Sequence, residues 1–175
     1  MAGSMATGTA AAGNARKWLR RLAATAFLVS FLLPAVRLGG PREGWALGLL
    51  AAPLSAYVLP VALRAAPATG RSAEEWAFMV VSGVFFGLLF LQNFAMLYGL
   101  KAAAGDPNRA RRAWRLAALA ALLALAVPLV NFARLYAGLG LVRGEAVRLG
   151  PGYYLWAGSF VLLAASLRPG RAPSP

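Results

Sequence analysis

The amino-acid sequence predicts an all-α protein: a polytopic transmembrane bundle of five apolar helices, making four or five full spans. Three observations predict it. The 175-residue chain is 60% hydrophobic and only 13% charged, where a soluble domain carries about 25% charged residues. Its apolar residues form runs of 15 to 24 residues separated by short polar segments, the pattern of membrane helices. Lys, Arg, Asp and Glu sit at the edges of those runs and not inside them. Residues 22–167 therefore read as one transmembrane helical domain. A disordered basic tail (1–21) is expected before it and a short disordered tail (168–175) after it.

Within the first tail, residues 1–15 are small, polar and unpatterned, with too little apolar surface to order them. Arg16, Lys17, Arg20 and Arg21 follow, with Trp18 among them, suited to the lipid–water interface. Leu22–Val36 is the first apolar run, about 22 Å long as a helix. A signal peptide shares this layout, but Pro34-Ala35-Val36-Arg37 is a poor cleavage site, so an anchoring helix is expected. Leu38–Glu43 (LGGPRE) reads as a turn. Gly44–Leu63 is apolar throughout but contains Pro53 and Pro60, so it is either a kinked span or a helix that enters and returns.

Ala77–Leu100 is the surest element, 24 residues without a charge and about 36 Å long as a helix. Ser72 and Glu75 stand at capping-box spacing before it. Gly105-Asp106-Pro107 then marks a tight antiparallel hairpin, with Asp106 as N-cap and Pro107 in the first turn of the next helix. That helix opens on Arg109, Arg111, Arg112 and Arg115 around Trp114. It continues as Leu116–Ala133, with a kink expected at Pro128. Tyr136–Pro151 reads as a Gly-rich connection. Tyr153–Leu167 is the last helix, opened by an interfacial aromatic cluster of Tyr153, Tyr154 and Trp156.

Hydropathy and charge disagree about Gly44–Leu63. If it crosses, the 18 Lys and Arg divide evenly between the two sides. If it does not, the N-terminal cluster, the hairpin cluster and the C-terminal tail share one face, eleven against seven. The positive-inside rule then puts both termini in the cytoplasm.

The net charge of +13 belongs to basic residues that flank apolar runs, so their expected partner is a bilayer with anionic headgroups. Arg16, Lys17, Arg20, Arg21, Arg109, Arg111, Arg112 and Arg115 are the headgroup contacts, and nucleic acid is not expected. Arg far outnumbers Lys, and Ala is abundant. That fits a GC-rich bacterial coding sequence and hence a multi-pass protein of the cell inner membrane. The chain has no Cys and no His. This removes disulfides, thiol chemistry, His-ligated haem and the usual zinc sites. All five acids (Glu43, Glu74, Glu75, Asp106, Glu145) fall in loops or at helix ends, away from the depth at which proton-coupled transporters place such groups. Ser30, Ser55, Ser82 and Ser159 have no adjacent base. No enzyme activity, metal or cofactor is expected.

Gln92, Asn93 and Asn131 are the intramembrane polar groups. Unpaired in hydrocarbon each costs several kcal/mol, so they are expected to join helices by hydrogen bonds or to line a small polar cavity. Gly83 and Gly87, one turn apart, permit a close helix contact.

Two segments carry a resemblance: Phe31-Leu32-Leu33-Pro34-Ala35 with Gly44-Trp45, and Gly152-Tyr153-Tyr154-Leu155-Trp156 with Ser159. Together they resemble a loose group of small bacterial multi-span proteins with an LPA-type first helix and a GYYLW-type last helix. The resemblance covers about a fifth of the chain and implies no activity. It implies an even number of spans with both termini inside. The sequence thus points to a non-catalytic structural or accessory membrane component working through helix–helix contacts with a second copy or a membrane partner. The motivating features are Gly83, Gly87 and the small-residue face of Ala117–Ala126. The alternative is a small-solute or lipid transporter or channel subunit with Gln92, Asn93 and Asn131 near its pathway.

Overall fold

The computed structural model describes residues 3–38, 44–51, 60, 64, 72–102, 106–129 and 148–169. The protein is mostly helical. Its main helices are α1 (Gly3–Ser30), α2 (Ala73–Ala102), α3 (Pro107–Ala126) and α4 (Pro151–Leu167). Three short strands accompany them: β1 (Pro34–Leu38), β2 (Gly44–Leu47) and β3 (Arg148–Leu149).

The hairpin of α2 and α3 forms as its punctuation requires. α2 starts directly after Ser72, whose carbonyl accepts from the Trp76 amide. Asp106 caps α3, its carboxylate accepting from the Asn108 amide at 3.0 Å, and Pro107 occupies the first helical position. Pro128 cannot donate a backbone hydrogen bond. The α-helix accordingly stops at Ala126, and Val127–Leu129 tighten into a 3-10 turn. Among the described residues, two helices are long and apolar enough to cross a membrane: Gly83–Ala102 within α2, and Pro107–Leu129.

Two packed clusters fix how the helices run. At one end Phe86 and Leu89 of α2 meet Ala124 and Val127, and Tyr153 and Ala157 of α4. At the other, Ala23 and Phe27 of α1 join Met96 and Ala102 of α2, Ala113 and Ala117 of α3, and Phe160, Leu163 and Leu167 of α4. α1 and α3 therefore run antiparallel to α4, and α2 runs antiparallel to α3. The start of α4, the end of α1 and the sheet share one end of the bundle. The Arg16–Arg21 cluster, Lys101, the α3 arginines and Arg168 gather toward the other.

The sheet has the order β2-β1-β3 with both pairings antiparallel. Its register places Arg37 opposite Trp45 on one side and Arg148 on the other. Ala35 is the extra residue of a bulge between Pro34 and Val36. Its carbonyl is used all the same, accepting from the Gly150 amide at 2.8 Å.

Several expectations are corrected here. Residues 3–21 are helical and continuous with α1, so they are not a disordered tail. Leu22–Val36 is not one helix: α1 ends at Ser30 and Pro34 opens a strand, since an apolar run this short fits either period. The fold is not purely α. Gly44–Leu47 is strand, and helix resumes only at residues 48–51, on the sheet side of the bundle. β2 and the start of α2 both lie at the sheet end of the bundle. Five apolar spans are not supported. The connection at residues 130–147 and the tail at 170–175 lie outside the described residues, as do most of Gly44–Leu63 and Gly105.

Candidate functional site

The polar groups of the bundle collect around the first half of α4. Gly150 caps this helix in an extended conformation and Pro151 opens it. Gly152 then lies against the end of α1: a Cβ there would come within 2.7 Å of the Leu33 carbonyl oxygen and 2.9 Å of that of Ser30. A second glycine, Gly48, closes on the same carbonyl from the other side, where a Cβ would run into Ser30 O and reach 2.9 Å from Phe31 Cα. The Gly48 and Leu49 amides donate to Leu33 O and Phe31 O, each at 3.0 Å. Backbone thus packs on backbone where α1, the strand that follows it and α4 converge. The two segments that carry the sequence resemblance, more than a hundred residues apart, form this one junction.

At the next position of α4, the Tyr153 hydroxyl donates to the Ala124 carbonyl of α3. The reason is Pro128. In an uninterrupted helix residue 128 would donate to Ala124; here only the Val127 amide reaches that carbonyl from within its own chain segment, and Tyr153 supplies a second donor. Tyr153 is buried, so of the expected interfacial trio it is a packing residue, while Tyr154 is exposed.

Trp156 links α4 to α2. Its indole N–H donates to Asn93 Oδ1 at 3.0 Å, and Asn93 Nδ2 donates to the Phe90 carbonyl at 3.0 Å. Trp156 also packs edge-on against Phe160, with ring centroids 5.1 Å apart. Asn93 is therefore interhelical glue, and both ends of its amide are used. Its neighbour differs. Gln92 is only 4% exposed, and neither its Oε1 nor its Nε2 has a hydrogen-bond partner among the described residues. It stands on the buried stripe of α2 between Leu89 of one cluster and Met96 of the other. Asn131 lies outside the described residues, so only two of the three expected polar groups are placed.

Three buried serines are engaged within their own helices, while Ser55 and the Ser82 side chain lie outside what the structure describes. Ser30 Oγ donates to Phe27 O at 2.6 Å, Ser159 Oγ to Trp156 O at 2.6 Å, and Ser166 Oγ to Leu163 O at 2.7 Å, each bonding back along its own helix. Ser30, Ser159 and Ser166 are buried with Gly152. On α4 the three small buried residues Gly152, Ser159 and Ser166 recur every seven positions, and Gly152 lies against the end of α1. The spacing was legible; what obscured it was the more familiar Gly83/Gly87 pair. Gly83 is buried, but a Cβ at Gly87 would meet nothing within 4 Å. The glycine of α2 that α4 approaches is Gly99, where a Cβ would come within 2.7 Å of Leu163 Cδ2. The alanine face of α3 is likewise consumed within the chain: Ala113, Ala117, Ala120, Ala121 and Ala124 are all buried in it.

At the basic end the residues expected to meet headgroups are exposed, apart from half-buried Arg20. The Arg21 guanidinium stands 5.5 Å above the Trp18 ring, a cation–π contact. Asp106, Asn108, Arg109, Arg111, Arg112 and Arg115 line an open cradle of about 360 Å³. Among the described residues no three His, Cys, Asp or Glu side chains come together in a way that could hold a metal. No family model matches the chain, and no curated protein or solved structure matches it.

Proposed function

We propose that this chain is a multi-pass protein of the cell inner membrane, crossing the bilayer four times through α1, α2, α3 and α4, with its basic end on the cytoplasmic side. One observation carries the reading: an exposed apolar belt with all its charge at the ends. Val84, Leu88, Leu91, Phe94 and Leu97 of α2, with Leu116, Leu119, Leu122 and Leu125 of α3, are exposed. A soluble protein rarely exposes so continuous an apolar surface, whereas lipid covers it without cost. The convergence of the Arg16–Arg21 cluster, the α3 arginines and Arg168 at one end supports the orientation. Because the chain has no cysteine, single-cysteine labelling in intact cells tests it cleanly. Gly13→Cys and Arg109→Cys should react on one side of the membrane and Arg148→Cys on the other. Opposite labelling of positions 13 and 109 sinks the four-span arrangement.

Within that membrane the protein acts as a non-catalytic structural or accessory component through helix–helix contacts. The support is the engagement of the Ser30, Tyr153, Ser159 and Ser166 hydroxyls in structural bonds, together with the open space beside Gly87, whose neighbours Val84, Leu88 and Leu91 face outward. Chemical crosslinking from a cysteine at Val84 should capture a second copy or a membrane partner; capture of nothing but monomer counts against it. A transport role has one observation in its favour, the unpartnered Gln92 amide at the waist of the bundle. Gln92→Leu separates the two: a pathway residue loses solute flux, and a packing residue yields a more stable protein.

A further inference from the structure

The outward side of α3 changes character once along its length. Arg109, Arg111, Arg112 and Arg115 are exposed on its first turns, and Leu116, Leu119, Leu122, Leu125 and Leu129 are exposed after them. Arg111, Arg115, Leu119 and Leu122 lie opposite the buried stripe of Ala113, Ala117, Ala120 and Ala124, with Arg112 and Leu125 flanking them, so this face points away from the bundle. From Leu116 to Leu125 the helix rises about 14 Å, close to the roughly 15 Å of one leaflet's hydrocarbon. Guanidinium groups stand at one end of that distance and bare leucine surface fills the rest. A phospholipid has this profile: one phosphate, then an acyl chain of about that length.

The charge is arranged as well as present. The arginines form a concave cradle with Asp106 and Asn108, and four guanidinium groups outnumber its one carboxylate. That carboxylate already accepts the Asn108 amide in capping the helix. Guanidinium binds phosphate oxygens two at a time. In the basic cluster of α1, which also shares one side of its helix, Arg21 is engaged with Trp18.

We propose that the outward face of α3 is a binding site for one anionic phospholipid, with the phosphate in the arginine cradle and an acyl chain along Leu116–Leu125. The site rests on the membrane reading above. It goes further in naming one helix that selects headgroup charge, where the other basic residues merely anchor.

The test is lipid retention. The full chain is reconstituted in bilayers of phosphatidylcholine with a minority of phosphatidylglycerol and then extracted in mild detergent. Lipids bound per protein are counted by mass spectrometry. The wild type should retain phosphatidylglycerol in preference. The combined variant Arg109→Gln, Arg111→Gln, Arg112→Gln and Arg115→Gln should lose at least about fivefold of that preference, the factor that corresponds to about 1 kcal/mol for even one contacting arginine. Neutralising Arg16, Lys17, Arg20 and Arg21 in the same way should leave most of it. Should the combined variant fail to fold, Arg112→Gln alone is read in its place. Equal loss from both clusters, or an undiminished preference without the α3 arginines, overturns the site. So does displacement of the lipid by inorganic phosphate at matched concentration, which would make the leucine surface irrelevant. Alkaline carbonate extraction separates the failures. A chain that washes off the membrane overturns the four-span reading together with the site, and one that stays yet shows no preference overturns the site alone.

Discussion

The two ends of the bundle are held by different physics. At the sheet end, backbone meets backbone: Gly48 and Gly152 bracket the Ser30 carbonyl, and Gly150, Gly48 and Leu49 donate to carbonyls of the turn and strand after α1. At the basic end, alanines pack against larger side chains and the charges face outward: Ala23, Ala113 and Ala117 meet Phe160, Leu163 and Leu167 while the arginines around them stay exposed. A side chain can shift by a few tenths of an ångström, but a carbonyl tied into a strand and a helix end cannot. The sheet end should therefore tolerate substitution poorly and the basic end well, even though it is the basic end where the arginine clusters gather.

Glycine substitutions probe that contrast most directly. Gly152→Ala should have the largest effect, because both atoms its Cβ would strike are backbone oxygens. A loss of about 3 kcal/mol, or failure to fold, is expected from overpacking of this kind. Thermal unfolding in detergent reads it, and a melting temperature within error of wild type would show that the junction is looser than described. Gly99→Ala meets only the far end of the Leu163 side chain, so about 1 kcal/mol should suffice to accommodate it. Gly87→Ala should stabilise α2 by about 0.5–1 kcal/mol, as alanine is the better helix former and nothing stands in its way. Destabilisation at Gly87, or a change in oligomeric state by light scattering, would mean that a second chain occupies that space.

The adjacent amides of α2 sharpen the comparison on a smaller scale. Asn93→Leu strands the Trp156 N–H and should cost about 1 kcal/mol, visible as a red-shifted indole emission if water reaches the ring. Gln92→Leu removes an amide with no partner and should raise stability by about 1 kcal/mol. The smallest effect is expected from Tyr153→Phe, about 0.6 kcal/mol, since the Ala124 carbonyl keeps the Val127 amide as a donor.

How much of this was legible in the residues depended on whether the signal was local. Ser72, Asp106 and Pro107 each set a helix boundary through their own dihedrals or hydrogen bonds, and each boundary falls where those groups place it; Pro128, expected only to kink its helix, instead ends the α-helix at Ala126. Asn93 was legible as interhelical glue because a buried amide needs a partner. Its partner was not, because Trp156 is 63 residues away. The strands were missed since Pro34–Leu38 continues an apolar run that also suits a helix. What turns it into a strand is pairing with residues 44–47 and 148–149, and no short window of sequence contains both partners. Gly83 and Gly87 were chosen on spacing alone, and spacing does not say which side of a helix has a neighbour.

By itself the sequence determined composition-scale properties: helices long enough to cross a bilayer, charge restricted to their ends, and no His or Cys chemistry. These follow from what each residue costs to bury, which does not depend on its distant neighbours. Only the tertiary structure decided that the basic clusters share one end, that Gly152 and Gly48 close on one carbonyl, and that among the described residues Asn93 finds a partner and Gln92 does not. Those are properties of pairs, and the chain chooses its pairs only when it packs.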